Sequence, residues 1–185
     1  MTSHPPLTRR RWLAGGLALS ALPLWSGCAG PRLADHAAQL PRFDFRNYFD
    51  GTVLAHGLVS DRGGRALRRF VVTMRCSWAG DEGTLDEAFV YDDGERQQRV
   101  WKVRRGADGA WTGSAGDVVG LASGRESGSA FNWRYTLQLP VRGRVWDIHF
   151  DDWMFRVDER TVLNKAVMSK LGVRVGDIVL SFHKA

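Results

Sequence analysis

The sequence predicts an all-β domain, an antiparallel up-and-down barrel of about eight to ten strands with one short C-terminal helix. Three observations carry this. From Gly51 onward, apolar and polar residues alternate with period two, the signature of strands with one buried face. Turn-forming clusters such as Asp61-Arg62-Gly63-Gly64, Asp92-Asp93-Gly94 and Gly106-Ala107-Asp108-Gly109 punctuate the runs at hairpin spacing. No segment is long enough for repeated helical crossovers, so consecutive strands are expected to pair and the sheet to close on itself.

The elements follow in order. Strands are expected near residues 52–60, 67–78, 84–92, 96–104, 109–114, 117–125, 129–139, 143–151, 153–163 and 176–184. The clearest is Phe70, Val72, Met74, Cys76 and Trp78 on one face, with Thr73, Arg75 and Ser77 opposite. Phe131, Trp133, Tyr135, Leu137 and Leu139 repeat the pattern, as do Trp146, Ile148 and Phe150, and finally Ile178, Leu180 and Phe182. Lys165 to Leu171 reads as the one helix, stopped by Gly172 at a C′ position. The spaced glycines Gly113, Gly116, Gly120, Gly124 and Gly128 match no phosphate-binding loop and are assigned to bends of curved strands.

The N-terminus reads as an export signal occupying residues 1–27. A basic stretch, Arg9-Arg10-Arg11, precedes an apolar run from Trp12 to Trp25 and small residues before a cut site. That run is shorter than the about 20 residues needed to cross a bilayer core. Thr8-Arg9-Arg10 followed by Leu13 resembles a twin-arginine signal, with an ordinary Sec signal as the alternative. Ser26-Gly27-Cys28 resembles a lipobox, although Trp25 stands where Leu is usual. Cys28 is therefore the expected lipidation site, the alternative being cleavage after Ala29 and a soluble periplasmic product. Two acyl chains meet the requirement for stable anchoring. Ala29, rather than Asp, after the Cys points to the outer membrane. Residues 28–42 read as the lipidated Cys and a tether, and residues 43–185 as the barrel domain.

Charge narrows the function classes. The chain carries +6, but residues 1–27 hold three Arg and no acid, which leaves +3 on the processed protein. The remaining charges alternate in sign, so no nucleic-acid footprint is expected. With Cys28 modified, Cys76 is left without a disulfide partner and reads as a small buried hydrophobe.

No nucleophile elbow, H-E-x-x-H or other catalytic motif occurs, so no catalytic residue, metal or cofactor is assigned. Asp147, His149 and Asp151 share one strand face, about 6–7 Å apart between neighbours, with Asp152 opposite. They read first as a solvated polar face, then as a polar patch lining a cavity. Trp133, Tyr135, Trp146, His149, Asp152 and Trp153 are the candidate ligand-lining residues, since a barrel of this size can hold one apolar ligand, although the tryptophans read first as core.

The C-terminal third, Asp151-Asp152-Trp153-Met154, Leu163-Asn164-Lys165, Met168 and Lys170-Leu171-Gly172-Val173-Arg174-Val175-Gly176, resembles an uncharacterised proteobacterial lipoprotein family. Tyr48-Phe49-Asp50-Gly51, Gly57 and Asp61-Arg62-Gly63 fit it too, and the resemblance runs from about Phe43 to Lys184. It implies a calycin-like, lipocalin-like barrel. Genes of such proteins often neighbour fatty-acid-modifying enzymes, which implies a lipid-related role but no catalytic residue. The leading expectation is an outer-membrane-anchored periplasmic protein that binds an apolar ligand such as a fatty acid or lipid. The alternative is a non-catalytic accessory envelope protein acting through a protein partner. An enzyme on this scaffold is the third reading, and it requires Asp147, His149, Asp151 and Asp152 to converge in a cavity.

Overall fold

The computed structural model describes residues 1–2, 30–141 and 143–185. Arg9, Arg10 and Cys28, the expected signal and lipidation residues, lie outside the described residues. Ten strands follow one another as an antiparallel meander: β1 (Gly51–Asp61), β2 (Ala66–Ala79), β3 (Glu82–Tyr91), β4 (Arg96–Arg105), β5 (Trp111–Ser114), β6 (Ala122–Ser127), β7 (Ala130–Val141), β8 (Arg144–Arg156), β9 (Thr161–Lys170) and β10 (Val173–Lys184). Each pairs with its sequence neighbours, and β10 returns to β1 in a register running from Val53↔Lys184 to Asp61↔Gly176. The barrel is closed in its strand order, although β5 pairs with only four residues of β4 and three of β6.

Alternation built the strands as expected, and their apolar faces point inward. Two bounds move. Asp152 and Trp153 continue β8 to Arg156 rather than separating two strands. The expected helix at Lys165–Leu171 does not form, because Lys165 to Lys170 belong to β9. Val162, Asn164 and Ala166 are buried while Leu163 and Lys165 face out, so period two holds as far as Ala166. Pairing with β8 on one side and β10 on the other satisfies its backbone, which outweighs the helix propensity of Lys, Ala and Met. Leu171 (φ +49°) and Gly172 (φ +78°) make a two-residue hairpin turn with both residues left-handed. Gly172 thus turns a strand instead of capping a helix.

One end of the barrel is plugged from within by the chain that precedes β1. A short helix, α1 (Phe45–Tyr48), is capped by Asp44, whose carboxylate accepts from Asn47 N at 3.0 Å. Phe43, Phe45, Tyr48 and Phe49 are all buried. The Phe45 ring lies 4.7 Å from Phe131 and 4.9 Å from Trp111, within favourable aromatic spacing. Hydrogen bonds tie the plug to the strands around it. Phe45 N donates to Glu126 Oε1 at 2.7 Å, Trp78 Nε1 to Phe49 O at 2.6 Å, and Tyr48 OH lies 2.9 Å from Arg160 O.

Upstream, within the segment read as a tether, Leu33–His36 form a 3-10 turn against the barrel. The His36 ring lies 5.9 Å from Trp153, and Ser129 Oγ donates to Gln39 Oε1 at 2.9 Å. Towards the opposite end, Phe70, Phe89 and Tyr91 stack together, with the Arg68 guanidinium 3.6 Å over Tyr91. Leu137, Ile148, Phe150 and Ala166 form a second buried cluster.

Candidate functional site

Between the plug and the far cluster the barrel is hollow. The cavity holds about 110 Å³ of free space. Its wall is mostly apolar, including Phe70, Val72, Met74, Leu85, Trp101 and Trp133. Four polar side chains interrupt it: Glu87 of β3, Arg99 of β4, Tyr135 of β7 and Asp152 of β8. Room for the Trp133 ring comes from two glycines on the neighbouring short strands. A Cβ at Gly113 would fall 2.9 Å from that ring, and one at Gly124 would fall 2.5 Å from it.

The polar residues form a connected layer. Arg99 is held by Asp117, which lies on the connection between β5 and β6, through Nε (3.0 Å) and Nη2 (2.8 Å). Its Nη1 reaches 3.8 Å from Glu87 Oε2. Across the cavity Tyr135 OH donates to Asp152 Oδ2 at 3.3 Å, and Asn164 Nδ2 donates to Asp152 Oδ1. Tyr135 stacks on Phe150 at 4.9 Å and meets Trp101 edge-on at 5.3 Å, which fixes its ring. The Oδ1 of Asn164 is buried and has no partner among the described residues.

Burial dominates the electrostatics of this layer, because the charged forms lose solvation inside the barrel. It pushes the Glu87 carboxyl up to about 7, against the pull of Arg99 and the Trp101 indole. It also pushes Asp152 up to about 7, against the hydrogen bonds from Asn164 and Tyr135. The Tyr135 phenol is raised well above its ordinary value by burial and by the Asp152 charge. Burial works against the Arg99 cation as well, but Asp117 and Glu87 outweigh it and keep the guanidinium charged.

Of the six expected lining residues, the structure brings Trp133, Tyr135 and Asp152 to the cavity wall. The other three lie elsewhere, and strand parity is the reason. In β8 the even positions Ile148, Phe150, Asp152 and Met154 face inward, so His149 and Trp153 point to the other side. His149 is exposed beside Thr136, and Trp153 packs outside the barrel beneath His36. Trp146 has inward parity but sits beyond the cavity in the second apolar cluster, with the Lys170 ammonium over its ring. Asp147, His149 and Asp151 therefore face outward while Asp152 faces inward, and the four do not converge. Asp151 instead pairs with Arg134 at 3.0 Å and accepts from Asn132 at 2.8 Å.

Sequence reasoning missed Glu87, Arg99, Asp117 and Asn164. A signal was present in the first two. Glu87 has the parity of Leu85 and Phe89, and Arg99 that of Trp101 and Val103. A charge at an apolar position of an alternating strand calls for a buried partner. Cys76 is buried, and burial pushes its thiol up to about 12. Among the described residues no three His, Cys, Asp or Glu side chains are grouped to hold a metal ion.

A layer of paired charges and hydrogen bonds beside an aromatic wall can hold a small molecule in a fixed orientation, with its apolar part against Phe70 and Met74. Comparison with curated proteins finds no match. A family model does match, over residues 22–184, which spans the whole barrel and nearly the whole chain. The chain belongs to the family described as "Protein of unknown function (DUF3833)".

Proposed function

We propose that this protein is a lipid-anchored binding protein of the proteobacterial outer membrane, whose barrel interior holds a molecule with an apolar body. The observation that carries the reading is the cavity, with an aromatic and aliphatic wall on most sides and convergent polar groups on one. Its size limits the ligand. Drug-sized ligands take about 300–1,000 Å³, and a dry engineered cavity of about 150 Å³ accepts benzene. The about 110 Å³ here suits a benzene-sized molecule or one end of a longer lipid, not a whole fatty acid.

The anchor rests on Ser26-Gly27-Cys28 and on the twin-arginine-like Arg9-Arg10. Cys28 lies five residues before Leu33, the start of the 3-10 turn that packs on β6 and β7. An extended chain of that length reaches at most about 18 Å, so the barrel would sit close to the lipid surface.

Two experiments test the reading. Solvent extraction of the purified full-length protein, followed by mass spectrometry, is expected to release a bound small molecule. Val72→Phe, which places a ring in the cavity, is expected to abolish that retention. Retention unchanged in the Val72→Phe protein would overturn interior binding. Metabolic labelling with a radioactive fatty acid is expected to mark the wild type and not Cys28→Ala. Equal labelling of both would remove the anchor assignment.

One further observation favours the accessory reading. On the outer faces of β3, β2, β1, β10 and β9, the exposed side chains of Val90, Val71, Leu58, Val179 and Leu163 surround His56. Exposed apolar patches of this kind mark interaction surfaces. Val71→Glu should release a copurifying protein if a partner covers this face.

A further inference from the structure

We propose that the ligand of the barrel cavity presents a hydrogen-bond-donating, non-anionic head to the Glu87–Asp152 side, an alkyl- or arylammonium being the best match, and that a carboxylate head is rejected. This rests on the interior-binding reading above and specifies the chemistry of the bound group.

The argument is an inventory of donors and acceptors in the polar layer. Most of the donors are directed at protein acceptors. Arg99 Nε and Nη2 are engaged by Asp117, and Nη1 faces Glu87. Tyr135 OH and Asn164 Nδ2 are both given to Asp152. Acceptors are left over. The Tyr135 oxygen has lone pairs free once its proton is given away, and Asn164 Oδ1 has no partner among the described residues. Asn164 itself is 2% exposed, so open solvent does not satisfy that oxygen. It lies beside Asp152, whose side chain forms part of the cavity wall.

Charge points the same way. Among the described residues lining the cavity, Arg99 is the cation, against Glu87 and Asp152 on the wall and Asp117 behind it. Glu87 is faced by Arg99, Trp101, Asp117 and Asp152, and Asp152 by Tyr135, Asn164, Asp151 and Glu87. A ligand carboxylate would bring a further anion to a guanidinium that already faces two carboxyls, Asp117 and Glu87, with a third, Asp152, on the same wall. Burying an unpaired carboxylate is strongly unfavourable. An ammonium brings three donors and no acceptor, which suits a wall that carries two carboxyls and the Tyr135 oxygen.

The test compares three small probes of equal heavy-atom count on the full-length protein at pH 8: butan-1-amine, butan-1-ol and propanoate. The readout is the NMR indole N–H signals of Trp101 and Trp133, both on the cavity wall. The amine is expected to shift these signals at a concentration at least about tenfold lower than propanoate, the scale of one hydrogen bond to a charged group. The alcohol should fall between them. Glu87→Gln and Asp152→Asn should each shrink the amine's advantage, and the wild-type ranking decides the matter if either variant fails to fold. Propanoate binding as well as the amine overturns the head-group assignment and leaves interior binding standing. No shift with any probe overturns interior binding, and the assignment with it.

Discussion

Arg99 grips Asp117 side-on, Nε at 3.0 Å and Nη2 at 2.8 Å, from inside the barrel to the connection between β5 and β6. The pair is more than an ornament of the cavity. Val118 bridges to Leu137, and Val119 N donates to Thr136 O at 2.9 Å. Asp117 therefore pins to the interior a connection that otherwise holds to β7 by only a few backbone bonds.

Replacing Arg99 by Met should remove about 3–5 kcal/mol of stability, because Glu87 and Asp117 are left without their cation in a site where Arg99 is only 12% exposed. Urea unfolding followed by tryptophan fluorescence measures this. The Arg99→Met, Glu87→Gln, Asp117→Asn triple variant, which removes the charges together, should recover much of the loss. A single variant as stable as wild type would show that the pair contributes nothing net.

Stability should depend on pH with a sign set by the two buried carboxyls. Glu87 and Asp152 ionise at about 7 in the folded chain, against ordinary values of 4.5 and 3.8. Between pH 4 and pH 7 the folded state keeps protons that the unfolded state has released. Their contribution is thus fully present below about pH 4 and is lost as pH rises through about 7, on the order of 3 kcal/mol for each group. Asp61, Asp92, Asp93, Asp108 and Asp158 act in the opposite sense. Hydrogen bonds hold them below their ordinary value, so their contribution is lost as pH falls through the acid range. Maximum stability is expected near pH 5. Glu87→Gln, which mimics the protonated acid, should flatten the decline between pH 5 and pH 8. A wild-type stability that rises over that interval would contradict the assignment.

Phe45→Ala should be among the most damaging single changes, costing about 3–5 kcal/mol. Its ring touches Phe49, Trp111, Phe131 and Trp133 at once, and it also closes one side of the cavity. Thermal unfolding reports the loss. Dye binding to newly exposed apolar surface should rise before global unfolding if the plug releases first.

Leu171→Asn should stabilise the protein by about 1 kcal/mol. The leucine is 94% exposed and held at φ +49°, a conformation that costs a side chain with Cβ about 1–2 kcal/mol and that Asn adopts more readily. No packing is lost in the exchange. A lower unfolding midpoint would show that Leu171 makes a contact worth more than the strain.

The strands were legible because period two survives in almost every one of them, and in β2, β7 and β10 it alone assigns the inward face. The segment from Lys165 to Lys170 was misread because short runs of Ala, Val, Met and Lys carry no decisive period of their own. Its pairing with β8 and β10, the strands on either side of it, settles its conformation. Half of the expected lining set reached the cavity for a similar reason. Local alternation says that Asp152 and Trp153 face opposite ways, but not which of them faces in.

By itself, the sequence determined the class of this protein: alternation and turn chemistry are local, and they specify antiparallel strands with apolar faces wherever the chain goes. It also carries the N-terminal signal pattern, which is read along the chain and needs no fold. The tertiary structure decided what the interior is. Glu87, Arg99, Asp117, Tyr135, Asp152 and Asn164 come from five strands and a connection spread over residues 87–164, and only barrel closure brings them into one buried layer. Burial then shifts their ionisation and sets three carboxyls around one guanidinium. Those properties belong to a shared low-dielectric space, and no stretch of sequence contains it.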